Sequence, residues 1–194
     1  WRVPGVEELP EIPVSFRTDP AGFRPYERAP HTLSRPWVVP GTPGLEHRVG
    51  GLEKQDGTGN ISYDPLNHET MVRLRAAKVE AVVQDVPDVV PAGDPDGDLL
   101  IVGWGSTRGA ITAALRAARE RGRRIGHVHL RHLNPLPKNL GEVMKRYRRV
   151  LVPERNLGQL VWVLRAKYLV DAISCPKVQG KPFFAPELKA HFRK

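Results

Sequence analysis

The side chains best placed to do chemistry in this 194-residue chain lie between Gly103 and Lys138. Gly103-Trp-Gly-Ser-Thr-Arg-Gly109 is a glycine-rich turn that breaks the apolar run Leu99-Leu-Ile-Val102 and leads into a helix-period pattern. A turn of that kind gathers free backbone N–H groups at the positive end of a helix dipole, where open α/β sheets hold phosphates. Ser106, Thr107 and Arg108 are the anion candidates within it, and Arg131 and Lys138 join them because each falls beyond the carboxyl end of a predicted strand. The glycines fill the first two places of a dinucleotide fingerprint, but the third is displaced by one and no Asp or Glu closes the second strand to hold a ribose. Arg131 suits a 2′-phosphate, yet the pattern favours a tight turn and close helix packing over nicotinamide binding.

His127, His129 and His132 have a spacing that brings two imidazoles to one face of a strand. With Arg124, Arg131 and Lys138 around them and no carboxylate nearby, buried and hydrogen-bonded histidines are expected rather than a metal site. Cys175, the single cysteine, follows apolar Ala172 and Ile173 and reads as a core residue rather than a nucleophile. No Ser/His/Asp or paired-carboxylate constellation stands out, so no catalytic and no metal-ligating residue is expected.

The elements that must position these groups form an alternation of strands and helices. Strands are predicted at Leu99–Val102, Arg124–Leu130, Val150–Val152 and Ala172–Cys175, with helices after Arg108, over Lys138–Tyr147 and from Asn156 to about Leu169. Short strands separated by helices require crossover connections. The expected fold is α/β: a doubly wound, mostly parallel open sheet over 96–194. Residues 64–95 are expected to hold a helix, with Met71, Leu74, Ala77, Lys78, Ala81 and Val82 recurring at helical spacing and Asp64 or Asn67 as N-cap, followed by a linker.

Residues 1–63 are expected to be an extended, proline-rich arm. Nine of the nineteen prolines fall within the first 43 residues, which forbids a long helix before Gly44. Trp1, Phe16, Phe23, Tyr26 and Trp37 interleave with them. A solvated linker seldom carries that many large apolar groups, so the arm is expected to wrap a surface. The chain begins at Trp1 rather than Met and reads as a piece of something longer.

The net charge is +9 and unevenly spread. Twelve Lys and Arg lie between Arg108 and Arg149 against Glu120 and Glu142 alone. Such a surface attracts polyanions, whether nucleic acid, phosphorylated ligands or an acidic protein. Without interleaved aromatics to stack on bases, solvated helix faces are the plainer reading and nucleic acid is disfavoured. One cysteine excludes an internal disulfide and a cysteine-rich metal site, and no apolar run approaches a membrane span or a secretory signal, so no membrane partner and a cytoplasmic location are expected.

The runs Arg35-Pro-Trp-Val-Val-Pro-Gly-Thr-Pro-Gly44, Gly50-Gly-Leu-Glu-Lys54 with Gly57-Thr-Gly59, Asp64 to His68, Met71-Val-Arg-Leu-Arg75, Gly103-Trp-Gly-Ser-Thr107, His129-Leu-Arg-His-Leu-Asn-Pro135 and Asn156-Leu-Gly-Gln-Leu160 occur in order along the chain. Together they resemble the C-terminal part of the alpha subunit of bacterial 2-oxoacid:ferredoxin oxidoreductases, most nearly the 2-oxoglutarate type. Relatives commonly have Gly-Leu-Glu-His where this chain has Lys54, so no role of that imidazole carries over.

The resemblance implies a non-catalytic, transketolase C-terminal-like domain, with no catalytic residue of its own, inside a complex that converts 2-oxoglutarate, coenzyme A and oxidised ferredoxin to succinyl-CoA, CO2 and reduced ferredoxin. It implies thiamine diphosphate, Mg and a 4Fe-4S cluster in the assembled complex and none bound by this chain alone. The implied partners are the rest of the alpha subunit, a beta subunit and ferredoxin, in a heterotetramer. The alternative from a different class is a phospholigand- or nucleotide-binding α/β module that uses the Gly103–Gly109 turn.

Overall fold

The computed structural model describes residues 2–192, so Trp1 of the expected arm lies outside the described residues. The chain divides into two compact units, with the boundary between Val82 and Val83. In the first unit the prolines have the expected effect, since among the described residues before Gly44 the one helical element is a three-residue 3-10 turn at Val6–Glu8. Isolated bridges Phe16 to Trp37, Tyr26 to Gly57 and Lys54 to Ile61 tie the loops. Tyr26 and Leu45 are buried.

The unit's long helix, α1, runs Pro65–Ala81 with proline in its first turn and the Asp64 carboxylate accepting the Leu66 N–H at 3.1 Å. Of the predicted apolar face only Met71 is fully buried. Loop and helix are pinned by Glu53, which accepts from Arg75 Nη1 at 3.1 Å and pairs with His68 Nδ1 at 2.6 Å. These two bonds, that from His68 foremost, hold the Glu53 carboxyl below its ordinary range. Lys54 is buried and donates from Nζ to the carbonyls of Gly50 and Leu52.

The second unit is the expected doubly wound sheet. Its strands are β1 Ala92–Gly93, β2 Gly97–Trp104, β3 Ile125–Leu130, β4 Tyr147–Glu154 and β5 Ala172–Pro176, in the order β1-β3-β2-β4-β5. All neighbours are parallel except the short β1, which pairs antiparallel with β3. Helices α2 Arg108–Arg119 and α5 Ala185–His191 cover one face, packing Ile111, Leu115 and Leu188 on Leu99, Ile101 and Ile125. Helices α3 Leu140–Lys145 and α4 Gln159–Tyr168 cover the other, packing Val143, Met144, Val161 and Leu164 on Leu100, Val102, Val128 and Val150. Burial on both faces is why Leu99-Leu-Ile-Val102 is continuously apolar rather than alternating.

Several elements differ from expectation, the short β1 within the expected linker among them. The helix expected over Lys138–Tyr147 stops at Lys145, because Tyr147 opens β4 and sends its hydroxyl to the Asp94 carbonyl. The strand expected at Val150–Val152 therefore spans eight residues and reaches Glu154. Helix α5 was not anticipated; it follows Phe183-Phe184 and is capped by Glu187, whose carboxylate accepts the Phe184 N–H at 2.7 Å. No helix among the described residues is long and apolar enough to cross a membrane.

Candidate functional site

The carboxyl edge of the sheet carries the anion candidates Ser106, Thr107, Arg108, Arg131 and Lys138, whereas His127 lies mid-strand in β3 and Cys175 in the core. From β2 the chain passes to β3 on one side and then to β4 on the other, so the crevice between the ends of β2 and β4 is the topological switch point. After Trp104 the chain makes a 3-10 turn, Gly105–Thr107, with Gly105 at φ +56°, before α2 begins at Arg108. Gly103 is a packing glycine: a Cβ there would fall onto Ile111 Cδ1 and Thr107 Oγ1.

The two hydroxyls of the turn are already engaged. Thr107 is buried, and its Oγ1 accepts the Trp104 N–H at 3.1 Å and donates to the Trp104 carbonyl at 2.8 Å. Ser106 is exposed and accepts from Arg155 Nη1 at 3.2 Å. Across the crevice lies a residue that sequence reasoning missed. Glu154, 1% exposed at the end of β4, accepts the backbone N–H groups of Leu160 (2.8 Å) and Val161 (3.0 Å) at the start of α4, and from Trp104 Nε1 and Asn156 Nδ2, both at 3.3 Å. A carboxylate of the chain itself thus occupies the helix N-terminus at the switch point, where a phosphate would otherwise be drawn. A signal existed: an acid two residues before Asn156-Leu-Gly158, whose Asn156 Oδ1 also caps the Gly158 and Gln159 N–H groups.

Arg108 and Arg131 are brought together on the other side of β2. Trp104 is level with Leu130 in the parallel register, so the residues that follow each strand emerge side by side. Both guanidiniums act on His129, whose imidazole is held below its ordinary pKa by burial first, then by Arg108 and Arg131. His127 and His129 share a face as expected, with ring centroids 5.9 Å apart and planes at 72°. The hydrogen bonds expected of them are not all present, because His127 Nε2 and His129 Nδ1 are buried without a partner. Burial above all, then His129 and Arg108, pushes His127 down to about 4. No group of three or more His, Cys, Asp or Glu capable of holding a metal occurs among the described residues.

Lys138 turns away to Gln84, donating from Nζ to Oε1. A cavity of about 250 Å³ is lined by His129, Arg131, His132 and also Asp88. It falls below the roughly 300–1,000 Å³ of small-molecule sites, and its carboxylate opposes an anion. Cys175 is buried, its thiol pushed up to about 11 by burial and then by Glu187. One such thiol does not fit an iron–sulfur cluster, which takes several thiolates. Among the described residues of this site no nucleophile is joined to a base, since Thr107 is bonded to backbone, Ser106 to Arg155, and Cys175 is buried.

Residues 97–175 match the family model of pyruvate:ferredoxin oxidoreductase core domain II. Over its full length the chain is 53% identical to 2-oxoglutarate oxidoreductase subunit KorA of Mycobacterium tuberculosis, covering 29% of that protein. It is 34% identical, over 89% of its length, to 2-oxoacid:ferredoxin oxidoreductase 1 subunit alpha of Aeropyrum pernix, covering 28% of that chain. The structure of 2-oxoglutarate:ferredoxin oxidoreductase from Magnetococcus marinus, with 2-oxoglutarate, coenzyme A and succinyl-CoA bound, superposes with a TM-score of 0.87 and 27% identity. That match covers 98% of this chain and 33% of the other. The chain therefore belongs to the 2-oxoacid:ferredoxin oxidoreductase family and corresponds to about a third or less of the length of these relatives.

Proposed function

We propose that this chain is a non-catalytic, assembly-supporting domain of the alpha subunit of a 2-oxoglutarate:ferredoxin oxidoreductase. The observation that carries the reading is the 53% identity to the mycobacterial subunit, which extends over the whole chain. The complex would convert 2-oxoglutarate and coenzyme A to succinyl-CoA and CO2 while reducing ferredoxin. Thiamine diphosphate, Mg and a 4Fe-4S cluster would be held by other parts of a cytoplasmic heterotetramer that includes a beta subunit, and the chemistry would be theirs. This domain's share would be interface burial and positioning. Surfaces left uncovered support that role: Trp162 is 64% exposed on α4, and Leu169, just past the helix, is 91% exposed at φ +51°.

The chain on its own should show no turnover with 2-oxoglutarate, coenzyme A, thiamine diphosphate and a viologen acceptor. The full-length protein, purified with its native partners, should reduce the viologen and carry iron, sulfide and thiamine diphosphate. Turnover by the isolated chain, or a native preparation without iron and thiamine diphosphate, contradicts the proposal.

Arg108 and Arg131 are assigned to the interface on the same reading, facing carboxylates of a neighbouring domain. Ser106 and Thr107 are assigned to holding the turn, and Lys138 to its bond with Gln84. The Arg108→Ala/Arg131→Ala double variant should weaken subunit association by roughly tenfold while leaving the KM for coenzyme A nearly unchanged. Normal assembly with a raised KM would make the crevice a ligand site instead.

A further inference from the structure

The opposite, amino edge of the sheet gathers more positive charge than the fold can use. The N–H of Asp98 donates to the Arg124 carbonyl at 3.0 Å and that of Gly97 to the Arg146 carbonyl at 3.3 Å, so these two arginines bracket the start of β2. With neighbouring strands about 4.8 Å apart, their backbones lie roughly 10 Å from one another. Arg121 and Arg123 stand in the turn just before β3, while Arg148 and Arg149 are the second and third residues of β4. Helices α2 and α3 also end at this edge, because each is followed directly by the turn into its next strand.

Some cations here have an ordinary explanation. Arg116 and Arg119 complement the carboxyl end of α2, Lys145 that of α3 and Lys189 that of α5. Arg119 pairs with Asp94 at 3.5 Å, Lys145 with Glu142 at 2.8 Å, and Arg124 with Asp96. Arg121, Arg123, Arg146, Arg148 and Arg149 go beyond this, and among the described residues none of them has an ion-pair partner. Like charges within a Debye length repel, so the cluster destabilises the isolated chain unless a partner neutralises it.

Beside the cluster is a cavity of about 360 Å³ lined by Ala117, Ala118, Arg121, Arg123, Lys189 and Phe192. Its floor is apolar and its rim carries three cations. That combination fits a protein segment better than a nucleic acid: an apolar side chain can enter between flanking carboxylates, whereas the edge offers no exposed aromatic ring for a base, Tyr147 and Phe192 both being buried. We propose that the amino edge of the sheet is a docking surface for an acidic protein segment that inserts one apolar side chain between α2 and α5. The inference stands apart from the enzyme assignment, since it needs only this surface.

Three fluorescent probes test it on the full chain: a short peptide of glutamates around one leucine, the same peptide with glycine for leucine, and single-stranded DNA of equal charge. The leucine peptide should bind most tightly, the glycine peptide at least about tenfold more weakly, and the DNA no better than the glycine peptide. Arg121→Glu/Arg123→Glu and, separately, Lys189→Glu should each weaken the leucine peptide by about tenfold or more while the fold persists: the arginine pair should unfold no earlier than the parent, since repulsion is relieved, and Lys189→Glu only slightly earlier, since it reverses a charge that complements α5. Absence of peptide binding at low salt, equal affinity of the two peptides, tighter binding of the DNA, or insensitivity to the reversals each overturns the proposal.

Discussion

Replacing Glu154 by alanine is expected to lower stability by about 3–4 kcal/mol, since each buried donor left without an acceptor costs about 1–3 kcal/mol. The donors are specific. Leu160 and Val161 are buried and supply the second and third N–H groups of α4, and both are satisfied only by this carboxylate. Trp104 Nε1 loses its acceptor too, which loosens the end of β2 against the end of β4. At roughly 2–4 °C per kcal/mol for a chain of this size, the melting temperature should fall by about 10 °C. Glu154→Gln keeps one carbonyl oxygen but sets an amide N–H against the other donor, so about half the loss is expected. Asn156→Ala, which uncaps Gly158 and Gln159, should cost about 1 kcal/mol. Melting curves of the three variants check the order. An alanine variant within about 2 °C of the parent would show that the crevice is not held by this carboxylate.

Glu154 also shows where sequence reasoning runs out. The apolar runs at Leu99 to Val102 and Ile125 to Leu130 declare their strands, because a parallel strand covered on both faces has no room for a polar side chain beyond the occasional His127. The exposed Arg116 and Arg119 against buried Ile111, Leu115 and Ala118 declare α2 and its orientation. The carboxyl-edge position of Arg108 and Arg131 follows from that pattern alone. The reach of β4 does not. Arg148 and Arg149 look helical beside Lys145 and Arg146, and only strand pairing of Tyr147 with Gly97 and of Pro153 with Cys175 extends β4 at both ends.

Once β4 runs to residue 154, alternation puts Glu154 on the face of Val150 and Val152, and its role becomes readable. Helix α5 was missed for a different reason: seven residues are too few for periodicity, although Pro186 and Glu187 mark its first turn. Its anchor is nonlocal, with Lys177 Nζ donating to both Glu187 oxygens at 2.7 Å and to the Pro182 carbonyl at 2.9 Å. The partnerless nitrogens of His127 and His129 belong to the same category, since a sequence gives the shared face of two residues but not the absence of a hydrogen bond.

Stability of the α/β unit should fall as pH drops from about 6.5 to about 4, and His127 should be the main cause. In the unfolded chain this imidazole takes up a proton near the ordinary value of 6.5, whereas the folded state resists until about 4, because burial disfavours the imidazolium and His129 and Arg108 repel it. Above about pH 6.5 both states are neutral and the stability is fully present; below it the unfolded state binds the extra proton, and stability is lost at about 1.4 kcal/mol per pH unit. Integrated down to the folded value, the loss is roughly 3 kcal/mol. His129, lowered for the same reasons, contributes with the same sign. The carboxyls held low by their partners, Glu53 and Glu187, also lose stability in acid, but mainly below their ordinary range near 4.5, so the upper part of the window belongs to the imidazoles. Urea unfolding of the parent and of His127→Gln across this window separates the two. The variant should start lower at pH 7 and then lose markedly less on acidification. Parallel curves for parent and variant would mean that His127 takes up its proton as readily in the folded state as in the unfolded chain, which its place beneath the Gly103 turn, walled by the backbone of β2 and beside Arg108, makes too costly.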